Sequence, residues 1–182
     1  MKFNHDKFIT ACGNFNESQR QGMEFLIASF EADAAMADIR WISYSLATIG
    51  RECAGTWQPI AENGKGTGRS YGEPDSITGL VYYGRGYVQL TWKTNYAAMS
   101  KATGMDLVGN PDLALKPTTA YRIMSYGMRN GSFSGVGLSH YINDQKCDYV
   151  NARRVINGTD HAQEIANAAA WFEATLQTCL LT

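Results

Sequence analysis

Two glutamates, Glu52 and Glu62, lie ten residues apart and could act as an acid–base pair. Hydrolysis of a glycosidic bond needs a protonated carboxyl that donates to the leaving oxygen and an ionised carboxylate that activates water or attacks directly. Glu52 lies beside the apolar stripe of a predicted helix, where partial burial favours its protonated form, whereas Glu62 lies in a glycine-rich, better solvated segment. Glutamates at this spacing are common, so the pair alone is a weak signal.

Residues 82–96 form a more specific pattern, in which glycines, aromatic rings and neutral polar side chains alternate: Tyr-Tyr-Gly-Arg-Gly-Tyr-Val-Gln-Leu-Thr-Trp-Lys-Thr-Asn-Tyr. Glycine lets the backbone approach a ligand closely, and rings such as that of Tyr83 offer flat apolar faces to a pyranose. Gln89, Thr91 and Asn95 supply uncharged hydrogen-bonding groups. The pattern indicates an uncharged sugar as ligand, and no phosphate-binding Gly-Lys-Ser/Thr follows it.

Helices must position these residues. The spacing predicts one helix over 17–37, capped by Asn16 or Ser18 with a glutamine at the capping-box position. A second helix is predicted over 38–53, because its apolar residues recur every three or four positions: Ile39, Ile42, Leu46, Ile49 and Cys53. Glu52 lies at the end of this second helix.

The rest of the chain is predicted to be mostly helical around one long loop. Residues 55–86 contain eight glycines and read as an irregular, functional segment. Residues 88–92 form either a short strand or the start of a helix. Further helices are predicted over 95–103, 112–130, 144–156 and 161–180, the last capped by Asp160. With no linker visible, residues 1–182 are predicted to be a single, mainly α domain.

Composition excludes several classes of protein. The formal net charge of −1 argues against a partner bound through bulk charge, so we expect no nucleic-acid binding. No apolar run reaches the length of a membrane span, and no secretory signal is visible, so neither stable membrane insertion nor a signal peptide is expected. The four cysteines are scattered without zinc spacing, which predicts reduced, buried thiols and no metal or other cofactor: Cys12, Cys53, Cys147 and Cys179.

Three segments resemble glycoside hydrolase family 19, which comprises chitinases of plants and actinobacteria and related phage endolysins. Residues 82–96 resemble its signature Y-Y-G-R-G-x-x-Q-L-[ST]-x-x-x-N-Y. Residues 49–55 resemble its helix-end H-E-[ST] segment, and residues 154–158 resemble its I-I-N-G segment. The matches follow the family's order. The resemblance implies a lysozyme-like helical domain with two lobes and a central cleft.

The resemblance also implies site residues. Glu52 matches the general acid and Glu62 the general base, with Glu73 as the alternative base at the spacing of the plant branch. The mechanism would be inverting, with Thr91 helping to hold the attacking water. Substrate contacts are implied for Gln89, Asn95 and Asn157.

Some residues keep two interpretations. Tyr83 is a candidate for sugar contact, and Trp57 either stacks on a sugar or belongs to the core. Arg51 replaces the family's usual histidine and either pairs with Glu52 or points outward. Arg154 either reaches the carboxylates or lies on a solvated face.

From these residues we expect a monomeric phage endolysin. It would cleave β-1,4 bonds between N-acetylmuramic acid and N-acetylglucosamine in peptidoglycan, stored in the host cytoplasm before it reaches the periplasmic wall. The alternatives are a chitinase acting on N-acetylglucosamine polymers and a non-catalytic carbohydrate-binding relative.

Overall fold

A computed structural model describes residues 1–181 of the chain, and most of its ordered segments are helical. The α-helices are α1 (His5–Ala11), α2 (Glu17–Ala32), α3 (Ile39–Glu52), α4 (Lys93–Thr103), α5 (Pro117–Asn130) and α6 (Ala162–Cys179). Two short antiparallel ribbons pair β1 (Ile60–Ala61) with β2 (Arg85–Gly86) and β3 (Ile142–Asn143) with β4 (Lys146–Cys147). The prediction of a mainly α fold is confirmed. In the described part of the chain, no helix has the length and apolarity needed to cross a bilayer.

The first two predicted helices form as α2 and α3. Asn16 caps α2, and Gln19 completes a capping box with it. This helix ends earlier than predicted, at Ala32, because Asp33 becomes extended and caps a short 3₁₀ turn instead. Asp38 caps α3 by accepting the backbone N–H of Arg40.

Helices α3 and α6 pack along their lengths and form the centre of the core. The inner face of α3 is buried at the predicted positions Ile42, Leu46, Ile49 and Cys53. The facing stripe of α6 is buried at Ile165, Ala169, Phe172 and Leu176. Burying a large aliphatic side chain contributes about 1.5–3 kcal/mol, so this seam holds the end of α3, and with it Glu52, at a defined place.

Residues 88–92 form neither a strand nor the start of a helix. Gln89 and Trp92 both have positive φ angles, 52° and 73°, which interrupt any regular element. The chain turns back instead, and Leu90 bridges to Arg85. The tight turn gathers the polar side chains of this segment on one side of β2.

The predicted helix over 144–156 is wrong. Residues 142–147 form the β3–β4 hairpin, whose turn is held by the Asn143 side chain accepting the backbone N–H groups of Gln145 and Lys146. A 3₁₀ helix, Asn151–Val155, follows. Local side-chain bonds at the turn therefore override the helical spacing of the apolar residues.

Two helix starts also differ from expectation. Helix α5 begins only at Pro117, because a residue before proline avoids the α region and Lys116 has ψ 130°. A 3₁₀ helix, Pro111–Leu115, precedes it. Helix α6 is not capped by Asp160. His161 takes that position with a left-handed φ of 55° and no capping side-chain bond.

The long segment 55–86 is irregular, as predicted, and folds back on itself. Short 3₁₀ turns occupy Asn63–Gly66 and Ser70–Gly72. Gly66 and Gly72 touch so closely that a Cβ on Gly72 would overlap the Gly66 carbonyl. This approach draws the residues after Glu62 back toward its side chain.

Gly22 on α2 provides a test of the packing around this segment. A Cβ there would overlap the Trp57 carbonyl. Alanine gains about 1 kcal/mol in a helix, but overpacking against a backbone costs about 1–3 kcal/mol. We expect Gly22→Ala to lower the free energy of unfolding by about 1 kcal/mol in urea denaturation. Gly158→Ala, which meets open space, should change it by less than about 0.5 kcal/mol. A more stable Gly22→Ala protein would contradict the packing.

Candidate active site

Glu52, the last residue of α3, is held by a buried arginine. Arg153 Nη1 donates to Glu52 Oε1 at 2.7 Å, and Arg153 Nε donates to the Asp160 carbonyl. Arg153 is 3% exposed, whereas the Glu52 side chain keeps 18% of its surface accessible. Because the arginine occupies Oε1, Oε2 is the oxygen left free to exchange a proton with a ligand.

Arg153, and not Arg154, is therefore the basic residue that contacts Glu52. The two follow each other in a 3₁₀ helix, where successive side chains point about 120° apart. Arg153 faces the core, and Arg154 lies exposed. Of the two interpretations given for Arg154, the structure therefore supports the solvated face.

Glu62 follows β1 and is held by three contacts. Its backbone N–H donates to the Gly84 carbonyl at 2.8 Å, and the Gly84 N–H donates to Oε1 at 3.0 Å. Tyr71 donates its hydroxyl to Oε2 at 3.1 Å. Burial, together with this bond to a carboxylate, raises the pKa of the Tyr71 hydroxyl, so Tyr71 stays protonated and remains the donor.

Gly84 brings three of the predicted site residues together. A Cβ at this position would lie 3.0 Å from Gln89 Oε1 and 3.4 Å from both Glu62 Cβ and Thr91 Oγ1. The missing side chain lets a carboxylate, an amide and a hydroxyl surround one backbone segment. Glu62 and Thr91 are thus neighbours in space although 29 positions separate them in the chain.

The polar side chains of the turn use their donors within the protein. Gln89 Nε2 donates to the carbonyls of Ile60 and Gly86, and the Thr91 hydroxyl donates to the Gln89 carbonyl at 2.8 Å. Asn95 Nδ2 donates to the Thr91 carbonyl. Their acceptor lone pairs are left for a ligand. A cavity of about 100 Å³ adjoins these residues and is closed by Phe133 and Ile156.

Residues 84–86 contact the segments that carry the two carboxylates. Cys53, next to Glu52, directs its thiol to the Gly86 carbonyl at 3.7 Å, and Glu62 binds Gly84 on both sides of its backbone. Anchors two residues apart are separated by at most about 7 Å of chain. The segments that carry Glu52 and Glu62 therefore meet the same short stretch of backbone.

Glu73 lies away from this group. It is exposed and borders a separate cavity of about 200 Å³ together with Tyr71 and Trp92. No side-chain hydrogen bond of Glu73 occurs among the described residues. The geometry therefore favours Glu62 over Glu73 as the partner of Thr91.

Two aromatic candidates lie inside the protein. Trp57 is 7% exposed and packs between Phe15 and Phe172, with ring centroids 5.9 and 5.7 Å away, so the structure favours its core interpretation. Tyr83 is 8% exposed, and the Arg85 guanidinium covers its ring at 3.4 Å. Tyr83 is thus buried beneath Arg85, and its ring is not exposed for stacking on a sugar.

Two further candidates lie at the surface near the acid. Asn157 is exposed, and its Oδ1 accepts the N–H of Gly158. Its own backbone N–H donates to the Arg153 carbonyl, so it follows directly on the segment that holds the acid. Arg51 points outward, with Nη2 2.6 Å from His161 Nε2, and does not pair with Glu52.

Tyr71 and Trp92 were not predicted as site residues. Trp92 is 48% exposed and stands edge-on to Tyr71, with ring centroids 5.3 Å apart. The number of tyrosines and glycines near Tyr71 indicates a functional loop but does not reveal which ring meets Glu62. That contact depends on the folding of residues 63–72.

The four thiols are all free, and two of them are fully buried. Burial raises the pKa of Cys53 to about 12, which makes it an unreactive packing group. Cys179 is buried too, but Cys12 is half-buried and Cys147 is exposed, so the prediction of buried thiols is wrong for Cys147.

Within residues 1–181, no cluster of three histidine, cysteine or acidic side chains is placed to hold a metal.

The arginine assignment can be tested with neighbouring substitutions. Removing one partner of a buried ion pair leaves an uncompensated charge, which lowers the free energy of unfolding by about 3–5 kcal/mol. Here it would also free the Glu52 carboxyl from the position that Arg153 gives it. We expect Arg153→Leu to reduce kcat by about 100-fold or more and Arg153→Lys to restore part of it, with KM nearly unchanged. Arg154→Leu should stay within about twofold of the parent. Equal losses in both leucine variants would contradict the assignment, and thermal melts would identify any unfolded variant.

Known proteins are similar to this chain in sequence and in fold. Residues 54–127 match the family model described as Chitinase class I, of glycoside hydrolase family 19. Chitinase 8 of Oryza sativa subsp. japonica is 56% identical over 41 residues, which are 22% of this chain and 16% of that protein. Chitinase 12 of the same organism is 30% identical over 133 residues, covering 64% of this chain and 38% of that protein. The chain thus spans less than half the length of these relatives.

The fold is shared with chitinase C from Streptomyces griseus HUT6037. The TM-score is 0.68 at 23% identity, and the alignment covers 96% of this chain and 76% of that one. These relatives are chitinases, so a closer relation to phage endolysins stays a prediction. The matched region contains the whole of segments 55–86 and 82–96, and over these residues the chain is similar to glycoside hydrolase family 19.

Proposed function

We propose that the protein hydrolyses β-1,4 bonds in a polymer of N-acetylhexosamines with inversion at the anomeric carbon. Glu52 is the general acid and Glu62 the general base. The observation that carries this proposal is that residues 84–86 contact both segments: Gly84 donates to the Glu62 carboxylate, and Gly86 meets the thiol of Cys53, the neighbour of Glu52. A sugar ring placed between them would meet a proton donor on one face and a water-holding pair on the other.

On the base side, two acceptors face one water position. The Thr91 hydroxyl gives its own proton to the Gln89 carbonyl, so Oγ1 can only accept from a water. Each Glu62 oxygen keeps a free lone pair beside its bond to Gly84 or Tyr71. A water that donates one hydrogen to Glu62 and one to Thr91 turns its own lone pair toward the anomeric carbon. Glu62 takes the proton as the new bond forms.

On the acid side, the buried arginine orients the carboxyl. With Oε1 held by Arg153, the proton is carried on Oε2 and passes to the glycosidic oxygen as the bond breaks. The negative charge left on Glu52 is balanced by the adjacent guanidinium. The proton that Glu62 accepts returns to Glu52 through solvent before the next cycle.

The substrate we favour is a β-1,4-linked N-acetylglucosamine polymer of the chitin type, because the similar proteins are named chitinases. Peptidoglycan, the substrate expected from the sequence, remains the second candidate, and one observation favours it. Lys65 and Arg69 lie exposed on the segment after Glu62, and neither forms an ion pair with any described carboxylate. Two free cations there would suit the anionic peptide stems of a bacterial wall. Storage in a host cytoplasm likewise stays a prediction.

The carboxylate roles can be separated by amide substitutions. Glu52→Gln and Glu62→Gln keep the shape but remove the proton donor and the base, and each should lower kcat by about 100- to 10,000-fold. Glu73→Gln should remain within about threefold. Release of reducing ends from a soluble N-acetylglucosamine oligomer measures all three. A Glu73→Gln loss as large as that of Glu62→Gln would transfer the base role to Glu73.

The stereochemistry provides an independent check. Proton NMR recorded during the first minutes of hydrolysis should show the α-anomer as the initial product from a β-linked oligomer. An initial β-anomer would refute direct attack by water and indicate a covalent intermediate.

The substrate class is decided by parallel digestions. Colloidal chitin and purified peptidoglycan should be compared at equal protein concentration, with Glu52→Gln as the blank. We expect new reducing ends predominantly from chitin. Lys65→Ala/Arg69→Ala should leave chitin cleavage unchanged and lower any cleavage of peptidoglycan. Activity confined to peptidoglycan would overturn the chitin proposal in favour of a muramidase.

A further inference from the structure

An apolar groove runs between the C-terminal half of α3 and the outer side of α6, apart from the cavity at Thr91. Its volume is about 460 Å³, within the range of small-ligand sites. The residues that define it are Gly50, Ala54, Ile165, Ala168, Trp171 and Phe172. We propose that this groove is a second binding site for the N-acetylhexosamine polymer, and this inference rests on the substrate class of the proposed function.

Trp171 is the observation that first points to a ligand. It is 45% exposed although it neighbours the buried stripe of α6, and the packing of α3 against α6 does not require it. Its indole stands edge-on to Phe172, with ring centroids 5.1 Å apart, which supports the ring at the side of the groove. An indole held in this way presents a flat apolar face, which suits the C–H face of a pyranose.

The floor of the groove is built from small residues over an aromatic base. Gly50, Ala54 and Ala168 leave room where larger side chains would fill the seam. Trp57 lies directly below, since a Cβ on Gly50 would stand 2.9 Å from the edge of its indole. The groove therefore has an apolar floor with room for a flat ring above the Trp57 indole.

Charged groups of both signs lie at one end of the groove. Arg51 Nη2 lies 2.6 Å from His161 Nε2, and Asp160 Oδ2 lies 3.4 Å from the same nitrogen. His161 Nδ1 contacts Glu164 Oε2 at 3.0 Å. Because these groups pair with one another, this end of the groove offers donors and acceptors for the hydroxyl and amide groups of a sugar.

The position of the groove relates it to the catalytic cleft. Arg51 precedes Glu52 on α3, so the groove begins within one residue of the proposed acid but on another face of the helix. Two contacts with one insoluble polymer, or with adjacent strands of it, raise the local concentration of the enzyme at its substrate. The alternative of a second protein copy is disfavoured, because one half-exposed indole is far below the roughly 800 Å² per partner of a stable interface.

The test uses binding to insoluble polymer in a Glu52→Gln background, so that no turnover is needed. Colloidal chitin and purified peptidoglycan serve as separate probes, and depletion of protein from solution gives the half-saturation concentration. We expect Trp171→Ala to raise the half-saturation concentration at least fivefold on one of the polymers, and Trp171→Phe to raise it by a smaller factor. Ala168→Leu, which fills the groove but keeps the indole, should weaken binding in the same direction.

Tyr126→Ala is the matched control, because Tyr126 is a partly exposed aromatic residue of α5 that lines a different cavity. The Tyr126→Ala variant should bind both polymers as tightly as the Glu52→Gln protein.

In the protein that keeps Glu52, Trp171→Ala should leave hydrolysis of a soluble tetramer unchanged, while hydrolysis of the insoluble polymer falls severalfold. Unchanged binding in both Trp171→Ala and Ala168→Leu, or an equal loss in Tyr126→Ala, would overturn the second site. Absence of any cleavage by the parent would refute the proposed function alone, since the binding comparison stands without turnover.

Discussion

Residues 84–86 carry the constraint on which the site depends. The Gly84 backbone meets the Glu62 side chain directly, and a Cβ on Gly86 would stand 2.7 Å from the Ala114 carbonyl. Gly86 therefore excludes a larger residue, and a side chain at Gly84 would crowd Gln89, Glu62 and Thr91. Because Cys53 also contacts these residues, any displacement of them would move the segments of Glu52 and Glu62 together.

Two buried arginines hold the loops around that strand. Arg85 is 4% exposed and donates to Asp112, to two backbone carbonyls and to the Tyr96 hydroxyl. Arg153 is equally buried and serves Glu52. A buried charge is costly unless it is fully hydrogen-bonded, so each arginine stabilises only one arrangement of its neighbours. The positions of the loops thus depend on ion pairs as well as on apolar packing.

The surface chemistry agrees with a neutral polysaccharide ligand. A net charge of −1 supplies little long-range attraction, so affinity must come from stacking and from short-range hydrogen bonds. Trp92 stands exposed beside Tyr71, which donates to Glu62, and Trp171 stands exposed on α6. The carbonyl oxygens of the Gln89 and Asn95 amides are left as acceptors, because their donors are already used within the protein.

The sequence by itself determined the features that depend on neighbours within one helical turn. These include a capping box at the start of α2, the buried stripe of α3 and the mainly α fold, as well as the group of polar residues after Gly84. Family resemblance further named the two carboxylates. Tertiary structure alone decided which arginine faces Glu52, since the contact joins residues 101 positions apart and depends on the phase of a 3₁₀ turn. It also decided that Trp57 packs in the core and that Tyr71 reaches Glu62, because such contacts follow from how distant segments meet and no local pattern encodes them.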